Sequence, residues 1–235
     1  MNARRKDYRI TLDHRQVRDV VSSVFHSLMV HRTVAKFNYR TENNYVLGSL
    51  GLTEIDCNCI DLSYVRLNSP GLTTRIEEEI EAFSKDLYDP YACSPRRTPV
   101  GSPLDSAEPF MTTSIGIEFY QKKRRWSLSV ESSPWEQWYL ILDIFKVTSE
   151  DDFQKMRESV ARSVSEVILN VCSVINRTQY VPQMPSKSEL NNVFETTFSD
   201  CQPYLFNVNR GSSLPGLPTK SSFSTVRRLL KDFAM

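Results

Sequence analysis

Histidine is almost missing from this chain. The three present, His14, His26 and His31, fall in or beside the first predicted helix, so no triad around a histidine base can be assembled. His26 and His31 stand five apart rather than four, with no His-Glu-x-x-His carboxylate, and read as surface or cap residues rather than metal ligands. The seven glycines include no Gly-x-Gly-x-x-Gly, and Gly48-Ser-Leu-Gly51 is a turn signal without the helix a phosphate-binding loop needs. The five cysteines, Cys57, Cys59, Cys93, Cys172 and Cys201, are odd in number and form no Cys-x-x-Cys pair, which points to a reducing compartment. Cys57 and Cys59 read as two small buried side chains. Asp56 and Asp61, five apart in a strand region, should face opposite sides, against paired-carboxylate catalysis. No catalytic, metal or cofactor site is expected.

Neither sign of charge predominates. Twenty-nine basic against twenty-eight acidic side chains leave +1, so no global field draws the chain to nucleic acid or to an acidic membrane. No apolar run reaches the roughly 20 residues of a membrane span, and the most hydrophobic one carries Asp143. The basic start leads into an alternating strand (Tyr8, Ile10, Leu12) rather than the apolar core of a signal peptide. With 235 residues and 40% hydrophobic content, one large domain over 1–235 is expected.

What the chain does have is a tryptophan cluster: Trp126, Trp135 and Trp138 lie within thirteen residues. Before it, Ile115, Ile117 and Phe119 alternate with Gly116, Glu118 and Tyr120, the period of a strand. After it, Trp135 to Val147 is apolar on both parities from Trp138 onward, as in a central strand covered on both faces. Trp126 therefore sits in the polar connection of a predicted hairpin, between Lys122-Lys123-Arg124-Arg125 and Ser132-Ser133-Pro134, with little to bury against. Cation and indole together also suit single-stranded nucleic acid, which makes a regulatory nucleic-acid-binding module on Lys122 to Trp126 the alternative to a solvated hairpin loop.

Around the hairpin, helical spacing predicts three helices. Asp13 and Gln16 form a capping-box-like start for Val17, Val20, Val21, Val24, Leu28 and Met29. Ser69-Pro70 opens a second helix with Leu72, Ile76, Ile80, Phe83 and Leu87 on one side and Glu77 to Glu79 on the other. Ser149 caps a third, carrying the stripe Phe153, Met156, Val160, Val164, Val167 and Val171, which is expected to lie across the sheet and organise the core. Phe37 to Leu67 reads as a strand meander. Ser186-x-x-Glu189 can cap a short helix, and Pro203 to Phe206 resumes strand character. Asp89 to Thr113 is a Pro/Ser-rich loop, and residues 209–235 form a C-terminal tail ending in a basic-amphipathic stretch. Ser94, Thr98 and Ser102 each precede a proline; a plain Pro-rich loop and a phosphoregulated segment are the two readings.

Several stretches then carry a resemblance: Val24 to Tyr39 with His26, His31, Arg32 and Lys36; Ile55-Asp56-Cys57-Asn-Cys59-Ile60-Asp61; and Glu118-Phe119-Tyr120-Gln121-Lys122-Lys123 running to Trp126 and Pro134-Trp135-Glu136-x-Trp138. Pro182-x-Met184-Pro185, Asn192-Val193-Phe194, Gln202-Pro203-Tyr204-Leu205 and Arg227-Arg228-Leu229 follow in matching order. The chain resembles the autophagy-related protein 101 family over nearly its whole length. The resemblance implies an α+β HORMA domain, an antiparallel sheet backed by three helices with an adaptable C-terminal segment. It further implies a non-catalytic scaffold of the autophagy-initiation kinase complex, cytoplasmic and recruited to the phagophore assembly site. There it would pair as a heterodimer with the HORMA domain of autophagy-related protein 13. The family's exposed Trp-Pro-Phe finger, which recruits downstream autophagy factors, reads Trp126-Ser127-Leu128 here. Trp126 carries over, whereas Ser127 lacks the φ restraint of proline and Leu128 replaces an aromatic, departures that bear on affinity and partner choice.

Overall fold

The computed structural model describes residues 3–88, 109–124, 130–177 and 181–211. Strand β1 (Arg4–Asp13) runs through a short 3₁₀ turn (His14–Gln16) into helix α1 (Val17–His31). Strands β2 (Thr33–Ala35), β3 (Phe37–Thr41), β4 (Asn44–Leu47), β5 (Leu52–Asp56) and β6 (Ser63–Leu67) lead to helix α2 (Pro70–Tyr88). Strands β7 (Met111–Arg124) and β8 (Val130–Phe145) precede helix α3 (Glu150–Val174). A second 3₁₀ turn (Lys187–Asn192), β9 (Cys201–Pro203) and β10 (Phe206–Arg210) complete the described chain.

The main sheet has the order β1-β8-β7-β10, which places the expected hairpin strands in the middle. It is mixed rather than antiparallel, because β1 pairs with β8 in parallel from Arg4↔Glu136 to Asp13↔Phe145. The sequence hides this: alternation shows a strand's buried face, not the direction of its neighbour. The expected meander is likewise two separate hairpins, β3-β4 and β5-β6. At the edges of the expected loop and tail, Met111 to Thr113 already belong to β7, and Asn209 and Arg210 extend β10 until Gly211 turns away at φ +60°.

One face of β8 is apolar and buried through Trp138, Leu140, Leu142 and Ile144. On the other, Tyr139 and Asp143 are buried while Ile141 and Phe145 are half-buried, and polar partners close it. Arg5 lies 4.3 Å over the Tyr139 ring, and Arg9 and Thr112 donate to the Asp143 carboxylate. Gly116, paired with Tyr139 across β7-β8, leaves room for that ring; a Cβ there would overlap it.

The core organiser is α1, not α3. Every residue from Val20 to Met29 is buried, and the helix is flanked by α2, α3 and β6. Helix α3 starts as expected, with the Asp152 amide donating to the Ser149 hydroxyl, and buries only its stripe. The first turn also forms as read, with the capping box of Asp13 and Gln16 complete. Ser186, by contrast, makes no side-chain cap bond; its carbonyl accepts from the Glu189 amide.

His26 is the clearest correction, since it is buried rather than a surface residue. Arg18, Ser22 and His26 recur every four residues along α1 and converge on Glu77 of α2, at 3.0, 3.1 and 3.2 Å, while the His26 ring stacks on Tyr64. Hydrogen bonding from His26, and then from Arg18, holds the Glu77 carboxyl down at about 2 against the cost of its burial. A carboxyl depressed in the folded state contributes stability above its ordinary value and loses it as pH falls toward the folded one. The α1-α2 seam should therefore weaken between about pH 4.5 and 2, and Glu77→Gln should flatten that part of a urea-denaturation pH series. Gly116→Ala should cost about 1–3 kcal/mol in the same assay, with partial recovery on adding Tyr139→Ala, because the added methyl and the ring compete for one space.

Candidate interaction surface

The register of the main sheet shows where a surface is offered. On one side β10 pairs with β7 only from Ile115 to Phe119, and on the other β1 begins opposite Glu136. Beyond those limits β7 and β8 continue as a two-stranded arm, pairing from Tyr120↔Pro134 to Arg124↔Val130. Five residues of strand reach about 17 Å past the sheet. Trp126, Ser127 and Leu128 follow this arm in sequence but lie outside the described residues. So do Ser94, Thr98 and Ser102.

A bulge sets the base of the arm. Phe119 faces Glu136 and Tyr120 faces Pro134, so Trp135 is the extra residue, and the shift lets consecutive Trp135 and Glu136 both be buried. Trp135 packs against Phe119 and edge-on against Tyr204, with ring centroids 5.9 and 5.3 Å away. Tyr204 continues to Phe194, and Phe194 to Phe37 of β3, an aromatic run from the arm into the body. Trp138, one of the two sheet tryptophans expected, stacks on Tyr8 with Arg4 over its ring.

Glu136 meets Arg32, the residue that follows α1. Both are about 2% exposed. Arg32 Nε and Nη2 donate to the two carboxylate oxygens at 2.5 and 3.0 Å. The other donors reach the Ile175 carbonyl at 2.5 Å, the Asn176 side chain at 3.3 Å and the His31 carbonyl at 3.2 Å. All five guanidinium N–H groups thus have acceptors, the condition for keeping such a charge buried. The Arg32 amide also closes α1 on Leu28 and Met29, and its carbonyl accepts from Tyr204. The pattern reading missed this pair, and the only available signal was an arginine directly after an apolar helix and a glutamate among tryptophans.

Among the described residues, the cysteines and aspartates singled out by the sequence are engaged in packing and pairing. Burial raises the Cys57 thiol to about 12 and pushes Cys59 and Cys201 up as well, so these sulfurs stay protonated; Cys57 and Cys59 are half-buried rather than buried. Asp61 holds Arg157 of α3 at 2.7 Å, and Asp56 accepts from Ser63. Among the described residues no group of three His, Cys, Asp or Glu side chains could hold a metal ion, and no helix is long and apolar enough to cross a membrane. What remains is surface: the arm, with exposed Lys122 and Lys123, and Leu169 of α3, an apolar side chain 69% exposed.

The family pattern described as autophagy-related protein 101 matches residues 9–188. This chain belongs to that family. It is 34% identical over 233 residues to autophagy-related protein 101 of Xenopus tropicalis and equally to that of Homo sapiens, covering 99% of this chain and 98% of each relative. To the Arabidopsis thaliana protein of the same name it is 20% identical over 189 residues, 71% of this chain and 74% of the relative. Membership places the chain in autophagy, among the proteins of that machinery. The family is named for a process rather than an enzymatic activity, and neither its description nor the relatives' names support the nucleic-acid alternative.

Because the buried pair ties α1, β8 and the end of α3 together, Glu136→Gln should cost about 3–5 kcal/mol in chemical denaturation, by leaving the guanidinium buried without its counter-charge. Arg32→Met with Glu136→Met should recover much of that loss, since it removes both charges at once.

Proposed function

We propose that this chain is a non-catalytic adaptor of autophagy initiation, built as one HORMA domain over 1–235. In this reading it pairs with the HORMA domain of autophagy-related protein 13 inside the initiation kinase complex. It works in the cytoplasm and is recruited with that complex to the phagophore assembly site. The Trp126-Ser127-Leu128 loop recruits downstream autophagy factors, and Ser94, Thr98 and Ser102 are candidate phosphorylation positions.

The observation that carries the reading is the arm: a hairpin pinned at its base by Trp135 and extended beyond both neighbouring strands suits presentation of a short contact sequence. The heterodimer rests on family membership, with exposed Leu169 on α3 as the apolar side chain that a partner would cover. Affinity purification of wild type beside Trp126→Ala tests the two roles separately. The variant should keep the HORMA partner and lose a subset of other autophagy proteins. An unchanged partner list would remove the loop from the proposal, and failure of the wild type to retain autophagy-related protein 13 would remove the scaffold.

A further inference from the structure

The hydrogen bonds of Arg32 bring together two side chains that belong neither to the ion pair nor to the core. Arg32 donates to the His31 carbonyl on one side and to the Ile175 carbonyl and the Asn176 side chain on the other, which fixes the last residue of α1 against the end of α3. There His31 Nε2 lies 3.5 Å from Cys172 Sγ, within hydrogen-bonding range for sulfur. The imidazole is half-buried and the thiol is exposed. A nucleophile thus faces solvent with a base behind it, the arrangement that activates thiols.

The other described cysteines do not meet these conditions. Cys57 and Cys59 are half-buried and Cys201 is buried, and burial pushes all three thiols up. The neighbour of Cys201 is the Ser69 hydroxyl, which is no base. His31 is held below its ordinary value by burial and then by Arg32, with Glu136 opposing. Its ring is therefore neutral at pH 7, and with the proton on Nδ1 the Nε2 lone pair can accept from the thiol. We infer that Cys172 is a thiol-modification site that exchanges with low-molecular-weight disulfides, with His31 as its base. Cys172 Sγ attacks one sulfur of the disulfide, and the S–S bond breaks as the new one forms. The thiol proton passes through His31 to the departing thiolate. Cys172 is oxidised and the released half is reduced, so no further reagent is needed.

Position gives the reaction a consequence. Leu169 stands one turn before Cys172, and both are exposed on α3. A glutathione adduct would set a charged tripeptide beside that apolar side chain, where a partner cannot close over it without burying charge. Modification and a partner on α3 therefore exclude each other. This last step rests on the reading of Leu169 as a heterodimer contact, whereas the reactivity of Cys172 does not.

The test is incubation of the full chain with glutathione disulfide at pH 7, followed by mass spectrometry that assigns the adduct to each cysteine. Cys172 should react at least about tenfold faster than Cys57, Cys59 or Cys201. His31→Gln keeps a polar group in place of the ring but no base; it should slow Cys172 about tenfold with an unchanged melting temperature. Near pH 10, above the ordinary thiol value, the thiolate forms unaided and the two rates should converge. Equal rates for Cys172 and Cys57, or for wild type and His31→Gln at pH 7, would overturn the site. In complex with the HORMA partner Cys172 should be protected; an unchanged rate there would overturn the exclusion and the α3 contact while leaving the thiol chemistry standing.

Discussion

The contact between Arg32 and Glu136 is the constraint on which the remaining architecture depends. A guanidinium and a carboxylate cannot be taken out of water unless their hydrogen-bonding groups are met, and here five donors converge on acceptors from α1, β8 and the end of α3. Each element is thereby placed against the others with little freedom: a helix end that drifted by one residue would strand a buried charge. Apolar packing around the pair sets how tightly the core closes, and the pair sets which arrangement closes. Its aromatic neighbours, Trp135 and Tyr204, carry the same placement toward β3 through Phe194 and Phe37.

A second polar seam works on the same logic at the other side of α1. The row Arg18, Ser22 and His26 converges on one carboxylate of α2, so the central helix is held by ionic contacts at Glu77 and again just beyond its C-terminus. From Val20 to Met29 the helix is buried all round, which is where polar contacts can fix its rotation and apolar ones cannot. The arm and the outer side of α3 are both carried by elements that this framework holds in place.

Much of this was legible in the amino-acid order. The three helices and the Trp135–Phe145 strand stand out by period, and the Asp13/Gln16 and Ser149 caps by residue type. The parallel pairing of β1 was not, because alternation is the same whichever way a neighbour runs. Nor was the weight of α1 against α3: an apolar stripe announces one buried face, whereas the burial of Ser22, Ser23 and His26 depends on partners far along the chain. The four-residue spacing of Arg18, Ser22 and His26 was visible but had no meaning until Glu77 stood opposite. For the candidate surface, sequence located the two strands and put Trp135 and Trp138 in the sheet, and it took the register to show how far the strands outrun their neighbours.

The bulge at Trp135 has an evolutionary consequence. By absorbing one residue at the boundary between sheet and arm, it uncouples the alternation of the arm from that of the core. Beyond buried Gln121 and its partner Ser133, the arm can be lengthened or shortened by whole cross-strand pairs without turning a core side chain toward water. A change of length beyond the bulge therefore leaves the facing of the core strands as it is.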